Sequence, residues 1–475
     1  SRHELPTDLP PDAGRAAAGI AIVLVAQLML VLDASVVNVG LPRIDADLHF
    51  GPAGLSWVLN AYTLAFGGLL LLGGRLGDVL GRRRMFEIGI AVFTLASVAG
   101  GLAPTPTWLV ASRAAQGIGA AMAAPGVLAL LTTSAPDEAA RNRALALFGA
   151  VTSGGLSIGL LLGGVVTDLG SWRWTLFINV PIGLAVLALT RRFVDETPAR
   201  PGRFDVVGAV TGTLGAVSLV WALIGAPDYG WWSARTLGGF AAGLALLAAL
   251  AVTERRVAHP MLQPALLRSR RRLGGLAVMM LVVGGQFSMF FLVVQYTQRV
   301  LGFGPLLSGM AFLPLTLGIF AMSRVTPRLI ARLGARSMLV VGTTGLAISF
   351  IWLAVVGSTD GTGTYASTIL GPMLLNGFSA GFVFMPVTTT VLGGVEPEHA
   401  GAASGLLQTA QQLGGAIGLA VIASVYAAGA VPGEFMPGLT AAFVASTAMS
   451  LLALVVAAVA LRTRRRTQVE MVVAA

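Results

Sequence analysis

Residues 23–42, "VLVAQLMLVLDASVVNVGLP", form an apolar run long enough to cross a bilayer, broken in its second half by a single carboxylate, Asp33. At the centre of a membrane helix an Asp costs roughly 2.5 to 3.5 kcal/mol on insertion scales. Such a residue is therefore expected to be buried in protein or to face a water-filled cavity, and to carry a task. The reading of the chain turns on whether this run is one membrane span among many, and on what Asp33 does there.

Composition answers the first point. The 475 residues are 55% hydrophobic and only 11% charged, with a mean hydropathy of +0.82. Soluble domains carry about 25% charged residues, so this is a membrane chain. There is no cysteine, which removes disulfides, thiolate metal sites and cysteine nucleophiles together. The first segment, "SRHELPTDLPPDAGR", is polar and Pro-rich, and the apolar run after it lacks a signal-peptide cleavage pattern, so that run is expected to stay as a helix. Absence of lysine alongside abundant Ala, Gly and Arg suggests a GC-rich bacterial source, hence a bacterial cytoplasmic membrane.

Windows of about 20 apolar residues, bounded by Arg, Pro or Gly, recur along the whole chain. They predict an all-α polytopic protein of fourteen spans: 17–40, 54–74, 84–103, 107–132, 142–167, 174–193, 205–225, 236–253, 273–297, 305–325, 336–357, 364–392, 400–428 and 439–461. Arginine placement supports the count. With both termini cytoplasmic, only Arg43, Arg173, Arg235 and Arg299 fall outside and Arg113 falls within a span, while all the other basic residues among the 31, every one an arginine, are cytoplasmic. A missed helix would invert this bias downstream. The net charge of +10 is thus a topology signal and not a nucleic-acid footprint, and "RSRRR" (268–272) and "RTRRR" (462–466) read as membrane anchors.

The chain also repeats itself. An offset of 253 residues aligns "FGP" at 50–52 with "FGP" at 303–305, and Leu76, Leu80, Gly81, Arg83 and Met85 with Leu329, Leu333, Gly334, Arg336 and Met338. The predicted organisation is 6 + 2 + 6: a tail (1–16), a six-helix bundle (17–193), an inserted pair (205–253), a second bundle (273–461) and a tail (462–475). Parallel halves of this kind suit a transporter with its substrate site at the midplane. In the same register Asp33 aligns with Gln286, and matching "QGIG" (116–119) to "NGFS" (376–379) leaves Arg113 without a basic counterpart. Both membrane-embedded charges therefore lie in the first half.

"GGRLGDVLGRRRM" (73–85) resembles the helix 2–3 loop signature of the major facilitator superfamily, at Gly74, Leu76, Asp78, Gly81, Arg82 and Arg83, and "RAAQGIGAA" (113–121) resembles its helix 4 signature. "LDASVVNVGLP" (32–42) and "WRWTLFINVPIG" (172–183) resemble the fourteen-helix drug:proton antiporter branch, with "GAASGLLQTAQQLGGAIGLAV" (401–421) a more diffuse likeness in the second half. The resemblance implies the major facilitator fold and proton-driven export of lipophilic or cationic drugs or antibiotics by alternating access. The implied partners are protons, membrane lipids and a small substrate, with no nucleic acid, metal or cofactor beyond the proton gradient, in a monomer. Dedicated export of one endogenous metabolite, and facilitation without antiport, stand as alternatives.

The residues have their own physical reading beside that resemblance. Asp78 beside a turn glycine can accept from helix N-termini or pair with Arg, holding the cytoplasmic side closed. Val79 stands where the family has a basic residue. Gly155, Gly159 and Gly163, with Gly164 adjoining, recur at helical spacing and offer one stripe of helix 5 to a close neighbour. Leu160 occupies the place where antiporters of the family carry Pro, so the implied helix bend is absent. Arg113 and Gln116 are three apart on one helix face, and a buried guanidinium needs a partner. Asp33 is the only deep carboxylate within the first-half spans, so the two are expected to communicate directly or through water. Burial and a neighbouring guanidinium act in opposite directions on a carboxyl's hold on a proton, which suits Asp33 to be the proton carrier, the cation-sensing group, or both. Helix position and side-chain type nominate Met29, Asn38, Trp57, Asn60, Tyr62, Gln116, Gln286, Phe290, Gln295, Tyr296, Asn376, Gln408 and Gln412 for a substrate site of apolar walls and few polar groups. The tenth span holds no acid, so divalent cations are expected to be poor substrates.

No catalytic site is expected. "GLSIG" (155–159) and "GFSAG" (377–381) match the nucleophile-elbow pattern but fall within predicted membrane helices, where that pattern has no meaning. His3, His49, His259 and His399 lie in tails, loops or span edges, and neither an HExxH motif nor a P-loop is present.

Overall fold

The computed structural model describes residues 11–51, 54–197, 206–254, 266, 268–359, 361–395, 400–431 and 434–461. Among them the chain is helical throughout, apart from one isolated bridge between Val431 and Glu434. The helices are α1 (Pro11–Leu48), α2 (Trp57–Leu80), α3 (Arg82–Gly101), α4 (Pro106–Ser134), α5 (Glu138–Leu169), α6 (Trp174–Phe193), α7 (Val206–Tyr229), α8 (Ala234–Glu254) and α9 (Arg270–Arg299). A short turn, Pro305–Met310, then leads into a helical run Leu313–Gly357 interrupted at Gly334, which divides α10 (313–333) from α11 (335–357). The chain ends in α12 (Gly371–Leu392), α13 (Ala400–Gly429) and α14 (Met436–Ala460).

Two boundaries differ from the sequence reading. α1 has 38 residues and starts at Pro11 rather than 17, within what reads as a tail. At 1.5 Å rise per residue it is about 57 Å long, so both ends outrun a hydrocarbon core of about 30 Å. α10 continues past 325 and through Pro327, whose missing N–H is tolerated within a helix of a membrane protein. Arg324, Arg328 and Arg332 are exposed on a helix they are well suited to form, and only the glycine at 334 ends it. The anchor run at 462–466 lies outside the described residues.

The repeat read from sequence extends to backbone conformation. Gly81, between α2 and α3, has φ 100°, and its aligned partner Gly334, between α10 and α11, has φ 79°. That region is open to glycine and costly for other residues. The same sharp turn thus recurs at the same place in each half.

Within the first half, Phe86, Ile90 and Phe93 of α3 pack with Met29, Tyr62, Leu130 and Val186 into one core. Glycines bring the backbones together: a Cβ on Gly119 of α4 would lie 2.6 Å from the Phe93 nitrogen of α3. The predicted glycine stripe of α5 faces α1. A Cβ on Gly155 would approach Val31 to 2.7 Å, one on Gly159 the Leu32 carbonyl to 3.1 Å, and one on Gly163 the Val36 carbonyl to 2.5 Å. Gly164 crosses to the second half, where its Cβ would meet the Leu306 Cα at 2.7 Å.

The inserted pair does more than lie alongside. Leu64 of α2, Ala216, Val220 and Ile224 of α7, and Ala416 and Ala420 of α13 form a separate apolar cluster, so α7 touches both halves along the α2–α13 seam. The Ser424 hydroxyl of α13 donates to the Leu223 carbonyl of α7. α8 packs on α7 through Gly215 and Gly243 and is otherwise mostly exposed.

The two repeated glycines make a controlled comparison. A Cβ at Gly334 meets nothing within 4 Å, whereas one at Gly81 would lie 2.8 Å from the Glu196 carboxyl carbon. We expect Gly334→Ala to cost about 1 kcal/mol from backbone strain alone and Gly81→Ala clearly more. Thermal unfolding of the two purified variants checks this; equal midpoints would contradict it.

Candidate functional site

Five helices converge on one buried point in the first half. α1 contributes Asp33, α3 Ser97, α4 Arg113 and Gln116, and α6 Asn179, while α2 supplies the Val58 carbonyl and the Tyr62 ring. None of the five polar side chains is more than 1% exposed. The carboxylate of Asp33 is saturated by donors: Oδ2 accepts from Arg113 Nη1 at 2.5 Å, and Oδ1 from Asn179 Nδ2 at 2.8 Å and Gln116 Nε2 at 3.1 Å. The contact anticipated between Asp33 and Arg113 is thus direct.

Arg113 is held on all sides. Its Nε donates to the Val58 carbonyl at 3.0 Å and its Nη1 also to Gln116 Oε1 at 2.7 Å, one turn along the same face. The guanidinium carbon lies 4.6 Å from the Tyr62 ring centroid. Gln116 closes the circuit by donating to Ser97 Oγ at 2.7 Å. The Gln116 amide thus accepts from the arginine through Oε1 and donates to the aspartate through Nε2. One donor is left over: Arg113 Nη2 is buried with no hydrogen-bond partner.

The sequence nominated three members of this network and missed two. Asn179 had a signal, being a lone amide within the apolar span 174–193. Ser97 had none, since a helical serine ordinarily bonds its own backbone, as this one also does to the Phe93 carbonyl at 2.8 Å.

The second half carries an uncharged version of the same pair. Gln286, aligned with Asp33, donates through Nε2 to Asn376 Oδ1 at 2.8 Å, and Asn376 is the residue aligned with Gln116. No arginine joins them, and Asn376 Nδ2 is buried without a partner.

A cavity of about 360 Å³ lies between the halves. Of the nominated residues Asn38, Tyr62, Gln286, Phe290 and Gln412 line it, together with Arg113 and Leu160. Gln27, Gln411, Phe66, Phe287 and Phe384 also line it and were not nominated. The others lie outside its lining. Met29 belongs to the first-half core, Trp57 packs beside the α7 cluster, and Gln116 is consumed by the ion-pair network. Asn60 is buried with both amide atoms unpartnered, Gln295 bonds its own helix at the Phe291 carbonyl, Tyr296 is buried with a free hydroxyl, Asn376 bonds Gln286, and Gln408 is half-buried elsewhere. Asp33 is also absent from the lining: the member of the ion pair that meets the cavity is Arg113.

At the arginine-rich end, Asp78 pairs with Arg82 at 2.8 Å across one helical turn. The N-terminus of α3 goes to another residue. The Glu196 carboxylate, just after α6, accepts from the Arg83 and Arg84 backbone N–H groups at 2.9 and 3.0 Å. Gly81's positive φ turns the α3 start towards that segment, so Glu196 takes the capping place the sequence left open to Asp78. Both contacts stay within the first half, and among the described residues Asp78 has no bond to the second. The halves meet directly between α2 and α13, where a Cβ on Gly67 would run into the Gln412 Cβ and one on Gly405 would lie 2.7 Å from Leu71, and at the opposite end. Arg299 of α9 pairs with Asp45 of α1 at 2.9 Å, Gln298 Nε2 donates to the Val39 carbonyl at 3.0 Å, and α5 abuts the Pro305–Met310 turn. "GLSIG" and "GFSAG" lie on α5 and α12, as helix and not as strand–turn–helix elbows.

Comparison with known proteins agrees with this architecture. The model of the Major Facilitator Superfamily matches residues 23–419. The puromycin resistance protein pur8 of Streptomyces alboniger is 40% identical over 409 residues, 86% of this chain and 81% of the relative. The cephamycin export protein CmcT of Amycolatopsis lactamdurans is 41% identical over 419 residues, 87% of this chain and 86% of the relative. The crystal structure of the POT family transporter PepTSo superposes with a TM-score of 0.69, at 14% identity over 93% of this chain and 97% of that one, a likeness of fold.

The network gives a direct stability test. Removing one partner of a buried ion pair costs about 3–5 kcal/mol, because a charge is left uncompensated, whereas removing both costs far less. We expect Asp33→Leu to lower the thermal midpoint strongly, and Asp33→Leu/Arg113→Leu to recover most of the loss. Additive losses in the double variant would show that the two residues act separately.

Proposed function

The chain belongs to the Major Facilitator Superfamily, and from that premise we propose that it is a proton-coupled exporter of lipophilic drugs or antibiotics, working by alternating access. The observation that carries this reading is the sealed Asp33–Arg113 pair, placed so that its arginine forms part of the wall of the cavity between the halves. The names of the relatives, one for resistance and one for export, support the direction of transport.

On this reading the arginine-rich end is cytoplasmic, as the positive-inside rule requires, and both termini lie there. The Arg299–Asp45 pair and the α5 contact then close the outside, leaving the cavity to load from within. A proton placed on an Asp33 oxygen removes the counter-charge of Arg113 and converts an acceptor into a donor. At least one of the Arg113, Gln116 and Asn179 donors then loses its acceptor, so five helices receive the signal together. Rearrangement of that network, transmitted to the cavity by Arg113, couples proton occupancy to substrate occupancy. Leu160 lines the same cavity and is buried at 1% exposure, so the place where the family's antiporters have Pro reports directly on the substrate chamber.

A second reading, dedicated export of one compound, is favoured by the name of the cephamycin relative. It shares this mechanism and differs only in how many compounds the cavity accepts.

Reconstitution into liposomes with an imposed pH gradient tests coupling. We expect gradient-driven transport of a lipophilic dye by the chain as it stands, and its loss in Asp33→Asn with binding retained. Flux that follows only the dye gradient and ignores Asp33 identifies a facilitator. Gradient coupling that appears only in Leu160→Pro identifies a chain whose antiport is disabled at that residue.

A further inference from the structure

The charge of the cavity wall points to a substrate class different from the one the family resemblance implies. The lining residues include no aspartate or glutamate, and Arg113 is the one formally charged residue among them. Asp33 compensates that charge from behind, with its oxygens occupied by three donors and no exposed surface. Among the described residues no helix from α9 to α14 carries an acid, and Glu434 lies between α13 and α14. A cation entering this chamber therefore approaches a guanidinium and finds no accessible carboxylate.

Aromatic faces are the usual alternative attraction for a cation. Here the Tyr62 ring is already covered by Arg113, at 4.6 Å, and the remaining rings of the wall are phenylalanines, with no tryptophan, the strongest cation–π partner, among the lining residues. What the wall offers instead is hydrogen bonding of both kinds without an exposed negative charge. Arg113 Nη2 is a buried donor without a partner, and Asn38 Oδ1 a buried acceptor without one, on side chains 1% and 3% exposed that both line the cavity. Leaving such groups unpaired is costly, and a ligand that supplies an acceptor to one and a donor to the other recovers that cost. Gln411 and Gln412 face them from α13, with Phe287, Phe290 and Phe384 completing an apolar second-half wall.

We propose that this cavity selects uncharged amphiphiles bearing a carbonyl-type hydrogen-bond acceptor, seated against Arg113, and discriminates against organic cations. The inference rests on the cavity being the substrate chamber of the exporter described above.

Two probes of nearly the same size and shape test it. Triphenylphosphine oxide is neutral with a strong acceptor oxygen, and methyltriphenylphosphonium, in which a methyl group replaces that oxygen, is a permanent cation with none. Calorimetric titration of the purified full chain is expected to show the oxide binding at least about tenfold more tightly, since the oxide accepts from Arg113 and the cation cannot. Gln412→Glu, nearly isosteric and on the wall, is expected to reverse the order by supplying an accessible carboxylate. Gln286→Glu is the companion variant, since the buried Asn376 Nδ2 awaits an acceptor there. Tighter binding of the phosphonium by the unaltered chain overturns this inference while leaving the export reading intact. Binding of neither probe sinks both. An order of affinity unmoved by both folded Glu variants also overturns it, because wall charge would then not be the discriminator.

Discussion

A carboxylate and a guanidinium buried side by side in a membrane protein are tolerable only together, and much of this structure follows from keeping them so. Asp33 and Arg113 sit on different helices, and each needs further hydrogen bonds because one ion pair does not satisfy either group. Ser97, Gln116 and Asn179 supply them, and the Val58 carbonyl takes the arginine's Nε. The first half is thereby fixed around a polar centre, with α1, α2, α3, α4 and α6 all bound to it. Close helix approach is the structural counterpart: the glycines of α4 and α5 bring neighbouring backbones near enough for short polar side chains to reach across.

The second half repeats the geometry without the charge. Gln286 and Asn376 stand in the places of Asp33 and Gln116, and their single bond leaves one amide donor unpaired. The two halves share the turn at Gly81 and Gly334, while among the described residues only the first holds a buried ion pair. On the proposed reading that asymmetry puts the switch in one half and leaves the other as the wall against which it acts. The contacts between halves, concentrated at the Arg299–Asp45 end and along the α2–α7–α13 seam, set where motion between them is resisted.

The insert has a clearer place in space than in sequence. Nothing in the Gly-rich stretch 205–253 indicates chemistry, yet α7 fills the seam between α2 and α13 and bonds to α13 through Ser424. It covers one lateral approach to the cavity between the halves. α8 then covers α7 and little else, which accounts for its nearly unbroken apolar surface.

The sequence by itself determined the membrane class, the number of spans, the duplication and the residue pair at the centre. Each is written in a local or periodic signal: runs of about 20 apolar residues, arginine bias, a constant offset of 253 residues, and charges too costly to bury alone. Pairing of Asp33 with Arg113 was legible because the first-half spans offer no other deep carboxylate: Glu87 lies in the first turn of its span, beside the arginines at 82–84. Tertiary structure alone decided which of the two meets the cavity, that Asn179 and Ser97 complete the network, and that Glu196 rather than Asp78 caps α3. It also separated the nominated polar residues that line the cavity from those, such as Gln295 and Asn376, that spend their hydrogen bonds within the second half. These outcomes depend on helix rotation and on contacts between residues 80 to 146 positions apart. Hydropathy constrains helix rotation weakly in a bundle whose helices face lipid on one side and protein on the other, so only the packed fold fixes which side chain points where.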